Sequence, residues 1–298
     1  MTISAKQVKE LREMTGVGLM ECKKALTENG GDIEKSILWL RERGLSRAAK
    51  KAGRVTAEGN VAIHINESAT AGAMVEVNCE TDFVSKNKDF TEFCQKVAEI
   101  ALKNNATTIA ELENCPYEGT ETVSAKLTAL ISTIGENLNL RRISHLNISD
   151  GVVAGYSHMG GKIGSIVGLS GSSSSKTKEL AKDLAMHVAA AAPRYLHSDE
   201  VNEQEIAQEK DLAKKKLKEQ NKPENMWDKI LIGQIQKFYK EICLLNQPFV
   251  KDTALSIEKL VKQQGDGAVL THFARFQLGE GIEKTEENFA EEVAAQLK

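Results

Sequence analysis

The chain reads as an α+β protein: an N-terminal three-helix module, a duplicated core of two three-stranded antiparallel sheets with helices, an inserted antiparallel helical hairpin and a C-terminal helix. Three observations lead there. Gly59, Val61 and Ala62 recur as Gly151, Val153 and Ala154 at an offset of 92 (151 − 59), and Val75 and Val77 recur as Val167 and Leu169 at the same offset. Self-similarity at a fixed offset marks one structural plan used twice. Within each copy, apolar runs of period two give way to runs of helical period, a sheet followed by covering helices. A charged segment with a thin apolar stripe interrupts the second copy, the pattern of two helices folded back on each other. The divisions that follow are 1–55, three helices and a linker; 56–148, the first core half; 149–198 with 248–278, the second; 199–247, the inserted hairpin; and 279–298, the C-terminal helical segment.

At the N-terminus, Ser4 caps a helix carrying Val8 and Leu11, and Thr15-Gly16-Val17-Gly18 breaks it. A second helix starts at Leu19 and stops at Asn29-Gly30-Gly31; Asp32 caps a third, with Ile33, Ile37, Leu38 and Leu40 inward and Gly44 as its stop. The Gly16-Val17-Gly18 turn is not a phosphate loop, because no strand precedes it and no Lys-Ser/Thr follows. Leu19 and Met20 are adjacent, so both cannot enter so small a core. At least one either forms an apolar docking patch beside Arg12 or is incidentally exposed. Arg47, Lys50, Lys51 and Arg54 read as a solvated linker face; RNA contact is the alternative, but no aromatic residue stands among them for stacking.

In the first core half, Ala73, Val75 and Val77 alternate with Met74, Glu76 and Asn78, a strand with one buried face. Its hairpin tip falls around 69–72, and Asp89 caps the following helix, 89–103, with Phe90, Phe93, Val97, Ile100 and Ala101 at helical spacing. A helix at 124–134 and a strand at 138–146 complete it. The second half repeats the plan with a tip at 158–164, helices at 176–192 and 257–263, and a strand at 268–278. Its insertion carries Val201, Ile206, Ala213 and Leu217 outbound, turns at Asn221-Lys222-Pro223, and returns with Trp227, Ile230, Ile235, Phe238 and Ile242. A last helix, 285–297, with Phe289 and Val293 on one side, either packs on its own sheet or docks on a partner.

Between the first hairpin and its helix stands Thr81-Asp82-Phe83-Val84, where the second copy has a serine-rich loop, 170–175, without an aromatic group. The fold therefore does not require Phe83. Either Asp82 caps locally and Phe83 joins the core, or the aromatic is presented outward beside a carboxylate as a binding group.

Composition excludes several classes. A net charge of −3 gives no basic footprint for nucleic acid, and no apolar run approaches the roughly 20 residues of a membrane span. With no signal pattern at the N-terminus, a cytoplasmic protein is expected. Five scattered cysteines without a Cys-x-x-Cys pair read as reduced structural thiols. The six histidines lack metal-ligand spacing, and no nucleophile-base grouping or strand-linked glycine cradle is present. Neither a cofactor nor catalytic chemistry is expected, which leaves a binding protein.

Two stretches carry a resemblance. Leu11-Arg12-x-x-Thr15-Gly16-x-Gly18-x-x-x-Cys22-Lys23-x-Ala25-Leu26 and Glu76-Val77-Asn78-Cys79-Glu80-Thr81-Asp82-Phe83-Val84 resemble the two signatures of the bacterial elongation factor Ts family. The order of modules agrees across essentially the whole chain. The resemblance implies a UBA-like N-terminal module and a protein that binds elongation factor Tu carrying GDP, dislodges Mg²⁺ and promotes GDP release. It assigns Thr81, Asp82, Phe83 and Val84 to Mg²⁺ dislocation, with Phe83 as a wedge between helices of the partner. Arg12, Leu19 and Met20 match the docking surface for the partner's nucleotide-binding domain, with Leu19 where a methionine is often seen, and His158 matches a further contact. The inserted hairpin and terminal helix would add contact area. A passive chaperone or scaffold of Tu, or an RNA-binding accessory protein, is the alternative.

Overall fold

A computed structural model describes residues 3–283. The N-terminal module comprises α1 (Ala5–Thr15), α2 (Leu19–Glu28) and α3 (Ile33–Lys51). Ser4 caps α1 in a capping box with Gln7, and Asp32 caps α3. Leu11, Val17, Cys22, Ala25, Leu26 and Leu40 form their common core. Two expectations change here. Leu38 points outward, 59% exposed. Gly44 does not stop α3, which continues to Lys51. The missing side chain at Gly44 is used for packing instead: a Cβ there would lie 3.6 Å from that of Ser132 on a core helix. The supposed linker is thus the end of a docked helix. Arg47 pairs with Glu21 at 2.8 Å, Lys51 donates to the Gly135 carbonyl, and Arg54 meets Glu80 at 3.4 Å.

The first core half runs β1 (Glu58–Ile65), β2 (Ala71–Cys79), the one-turn α4 (Asp82–Ser85), α5 (Lys88–Lys103), α6 (Ile109–Asn114), a small ribbon of β3 (Pro116–Glu118) and β4 (Glu121–Thr122), α7 (Val123–Ile134) and β5 (Leu138–Asn147). The second runs β6 (Gly151–His158), β7 (Ile163–Ser170), α8 (Ser175–Ala191), the inserted α9 (Glu203–Glu219) and α10 (Trp227–Ile242), a ribbon of β8 (Pro248–Phe249) and β9 (Asp252–Ser256), α11 (Ile257–Gln264) and β10 (Val269–Gln277). The C-terminal helix expected at 285–297 lies outside the described residues. Asn87, not Asp89, caps α5, and the first hairpin turns over 66–70, with Ala71 already in β2.

The sheets are ordered β1-β2-β5 and β10-β7-β6, all pairs antiparallel. The repeat extends to register: Gly59 faces Asn78 as Gly151 faces Ser170, and Ala62 faces Val75 as Ala154 faces Val167. Helices α5, α6 and α7 cover the outer face of the first sheet, and α8 and α11 that of the second. The inner faces pack on each other through Val61, Met74, Leu146, Val153, Ile166 and Phe276. All of β2 is therefore buried, where period two suggested one covered face. The Val61 N–H donates to the Gly161 carbonyl at 2.8 Å and the Val153 N–H to the Ala69 carbonyl at 2.7 Å. Each bond is the other shifted by one repeat, so the halves meet about a pseudo-twofold axis, each using the same patch.

Close approach of the sheets depends on missing side chains. A Cβ on Gly155 would stand 2.7 Å from Cγ2 of Ile63, so Gly155→Val should cost about 1–3 kcal/mol by overpacking. A lowered urea midpoint with unchanged slope is the expected readout; an unchanged midpoint would contradict the tight inner seam.

The inserted helices pack as a hairpin with Ala213, Leu217, Leu231 and Ile235 buried, and rejoin the body at Gln247. There the buried His187 ring accepts the Val250 N–H at Nδ1 (3.3 Å) and donates from Nε2 to Oε1 of Gln247 (2.9 Å). Burial holds this imidazole below its ordinary range, although the Gln247 bond acts in the opposite direction. Burial likewise lowers His145, against a backbone bond at Leu102. Each ring holds its proton less tightly folded than unfolded, so the unfolded chain binds more protons as the pH drops below about 6.5. Stability present above that pH is lost as the pH falls through it. The thermal midpoint should drop between pH 7.5 and 5.5, less steeply in His187→Phe; a rise on acidification would refute the assignment.

Candidate partner-binding site

β2 ends at Cys79, whose thiol donates to the Thr81 carbonyl at 3.1 Å. Burial, then the charges of Glu136 and Glu58, push this thiol up to about 12, so it is an unreactive packing group. The chain then leaves the sheet and closes one helical turn. Thr81 is its cap, accepting from the Val84 N–H at 3.4 Å, and the Ser85 hydroxyl donates to the Asp82 carbonyl at 2.8 Å. Val84 packs against the first core. Asp82 does not cap; its carboxylate pairs with Lys86 at 2.7 Å, one turn on. Phe83 does not join the core either. It is 82% exposed, a large aromatic left in water on a turn whose neighbours are all anchored. Of the two readings of this stretch, the geometry matches the outward one.

The base of the turn is cross-strapped to the α7–β5 connection. The Glu80 and Thr81 N–H groups and the Thr81 hydroxyl all donate to the Glu136 carboxylate, at 3.1, 3.0 and 2.6 Å. In return the Asn137 N–H donates to the Glu80 carboxylate at 2.5 Å. Asn137 also holds the Arg54 carbonyl at 3.0 Å, beyond the end of α3. Sequence reasoning missed Glu136 because it stands in an irregular connector, Gly135-Glu136-Asn137, where no periodicity assigns a side chain a direction.

His158 lies at the second hairpin tip, its ring on Tyr156, with the Tyr156 hydroxyl 3.1 Å from Nδ1. Met159 beside it is 71% exposed, a large apolar side chain the sequence did not single out. The pseudo-twofold packing brings this tip to the Phe83 end of the first sheet. Lys162 reaches Glu58 at 2.5 Å, Glu58 pairs with Cys79, and Asn60 donates to the Gly160 carbonyl at 3.0 Å. Arg12, Leu19 and Met20 lie on the N-terminal module and are all exposed, Leu19 at 48% and Met20 at 76%. Both apolar residues face solvent, joined by Met14. This patch is not part of the turn itself. It is linked to it through α3 and the residues just beyond it: Lys51, the last residue of α3, donates to the Gly135 carbonyl, and Arg54 pairs with Glu80.

Among the described residues no cluster of three or more His, Cys, Asp or Glu is placed to hold a metal, and no helix is long and apolar enough to cross a membrane. The site is a presented aromatic and its supports. A family model described as Elongation factor TS matches residues 80–280. A protein of Clostridium botulinum (strain Alaska E43 / Type E3) named Elongation factor Ts is 49% identical over 300 residues, covering 99% of each chain.

The chain belongs to the elongation factor Ts family. Relatives of the same name from Clostridium perfringens (strain SM101 / Type A) and Halothermothrix orenii are 48% identical over 297 residues and 44% identical over 299, covering 98% of each chain in the first case and 100% of this chain and 99% of the relative in the second. Membership in this Ts family makes the protein a translation elongation factor, a component of protein biosynthesis. The family model opens at Glu80 and so takes in the Phe83 turn, Glu136 and the second hairpin tip. The N-terminal module lies before it but within the near full-length matches.

Proposed function

We propose that this chain is a guanine-nucleotide exchange factor that binds GDP-loaded elongation factor Tu, dislodges its Mg²⁺ and promotes GDP release so that GTP can bind. The observation that carries the reading is Phe83, 82% exposed on a turn whose base is fixed by Glu136. A rigid, solvated aromatic has its desolvation still to gain and little conformational entropy to lose, the properties of an interface anchor. Membership in the Ts family supplies the partner. Residues 1–55 are the docking module, with Arg12, Leu19 and Met20 on the nucleotide-binding domain. Thr81, Asp82, Phe83 and Val84 work near the ion, His158 adds a contact from the second core half, and the hairpin at 199–247 and the segment at 279–298 add area. The protein has no catalytic chemistry of its own and works in the cytoplasm.

Linkage sets the mechanism. The factor must bind nucleotide-free Tu more tightly than the GDP form, since equal affinity for both shifts nothing. Each tenfold weakening of GDP needs about 1.4 kcal/mol of differential contact. Mg²⁺ is the largest positive charge beside the diphosphate, so displacing it yields the most per contact. Asp82 is already paired with Lys86, which favours steric and electrostatic disturbance of the ion's surroundings over capture of the ion.

Dissociation of a fluorescent GDP from Tu, with and without this protein, tests the reading. Faster release that rises with factor concentration is expected. Binding without acceleration would instead make the protein a passive chaperone or scaffold. Engagement of Arg47, Lys51 and Arg54 by Glu21, the Gly135 carbonyl and Glu80 leaves Lys50 as the exposed cation of that segment outside these contacts, which weighs against the RNA alternative; salt-sensitive binding in an RNA titration would support it and a flat titration would remove it.

A further inference from the structure

We infer that Glu136 is the positioning residue that holds Phe83 in its presented geometry, an inference that rests on the exchange-factor reading. A single helical turn is not stable alone, because nucleation orders several residues for one hydrogen bond. The turn's own cap is weak: the Thr81 hydroxyl stands 3.4 Å from the Val84 N–H. The Glu136 carboxylate provides what the turn lacks. It accepts from two successive N–H groups, Glu80 and Thr81, and from the Thr81 hydroxyl at 2.6 Å, charge-assisted bonds of the stronger kind. It also orients that hydroxyl, whose hydrogen goes to Glu136 and leaves a lone pair for Val84.

The anchor is itself fixed. Gly135 ends α7 in the left-handed region at φ 89°, which sends the chain sharply out of the helix at Glu136. Asn137 then donates to Glu80, so two connectors cross and each holds the other's backbone. Phe83, two residues from the strap, inherits its direction from it.

The repeat provides an internal comparison. In the third strands, Asn139 faces Asn78 as Val269 faces Ser170. Counting back three residues from each, Asp266 stands where Glu136 does, one methylene shorter. Among the described residues Asp266 holds no hydrogen bond to the loop at 171–175. That loop carries no aromatic, and Ser174 caps α8 through the Thr177 N–H at 3.2 Å. The second half joins its corresponding connector another way, the Thr177 hydroxyl donating to the Gly265 carbonyl at 3.1 Å, so the carboxylate strap onto the turn occurs in the half that presents Phe83.

The test is a double-mutant cycle on the full chain, with Glu136→Ala and Glu136→Gln each made alone and with Phe83→Ala, read as fluorescent GDP release from Tu. The Glu136→Gln change keeps the side-chain size but places an amide group where an acceptor is needed, so packing is preserved while the strap is weakened. Each Glu136 variant alone should slow stimulated release roughly tenfold. In the Phe83→Ala background the further loss should stay within about twofold, because the residue acts through Phe83. Equal losses in both backgrounds, or no loss from Glu136 variants when Phe83→Ala is slow, would overturn the inference. A second readout needs no partner: backbone amides of 81–85 in free Glu136→Gln should exchange with deuterium roughly tenfold faster. Unchanged exchange there overturns the strap whatever the release rates, whereas wild-type protein that fails to accelerate release overturns the exchange-factor reading.

Discussion

Phe83→Ala slows factor-stimulated GDP release from elongation factor Tu by about 30-fold at sub-saturating factor, the equivalent of about 2 kcal/mol lost at an interface anchor. The fold of the free protein should be untouched by the change, because Phe83 is 82% exposed. Thermal and urea midpoints should move little, as for surface substitutions in general. The two measurements together separate an interface role from a folding role. Wild-type release by the alanine variant would remove the wedge. A fall in stability of several kcal/mol would mean that the ring belongs to the core after all. Lys86 provides a graded control: Lys86→Ala frees Asp82 of its 2.7 Å partner while leaving the ring in place, and should change release far less than loss of Phe83.

Glu76→Ala destabilises the fold by about 3–5 kcal/mol, the cost of breaking a buried ion pair by removing one partner. Its carboxylate has no exposed surface and is bonded by Arg141 at 2.8 Å, Arg142 at 2.6 Å and the Gly279 N–H at 2.9 Å. Consecutive strand residues normally point to opposite faces; both arginines reach one carboxylate because β5 bulges between the Arg142 and Leu140 pairings. Arg142 also binds the Gln277 carbonyl at 2.9 Å and lies over the Phe276 ring, so the network ties the two core halves together. The arginines keep 23% and 29% of their side-chain surface in water, which allows partial rehydration and favours the lower end of the range. A thermal midpoint lower by roughly 6–12 °C is the expected readout; a loss under about 1 kcal/mol would show the pair to be no better than an exposed one. Burial alone would raise the Glu76 carboxyl, but the Gly279 N–H and the two guanidinium groups hold it below the ordinary range. Its contribution is therefore present above about pH 4.3, the unfolded value, and is lost as the pH falls through the folded one. The alanine variant should lose less stability on that acid limb than the wild type.

Much of the fold was legible because it follows from local periodicity and from repetition. The offset of 92 located both hairpins, and the pairing register repeats it. The hairpin tip was placed a few residues late because turn geometry tolerates many sequences. Asn87 rather than Asp89 caps α5 because several residues there were chemically able to cap. Phe83 was singled out by its absence from the second copy, a comparison that works without coordinates. Gly44 misled because a glycine inside a helix is both a stop signal and a contact point, and only the position of Ser132 on α7 decides between them.

By itself, then, the sequence determined the alternation of strands and helices, the duplication, the inserted hairpin and the residues of the Thr81-Asp82-Phe83-Val84 turn, since each is encoded in neighbouring residues or in the repeat. The tertiary structure alone decided that both faces of β2 are covered, that Glu76 lies between two arginines, that the second hairpin tip joins the Phe83 end of the first sheet, and that Glu136 holds the turn. The physical reason is common to all four. Each depends on which distant group occupies a neighbouring volume: residue 76 meets residues 141, 142 and 279, and residue 81 meets residue 136. Burial and hydrogen bonding depend on that three-dimensional neighbourhood, while sequence periodicity reports only which side of its own element a residue is on.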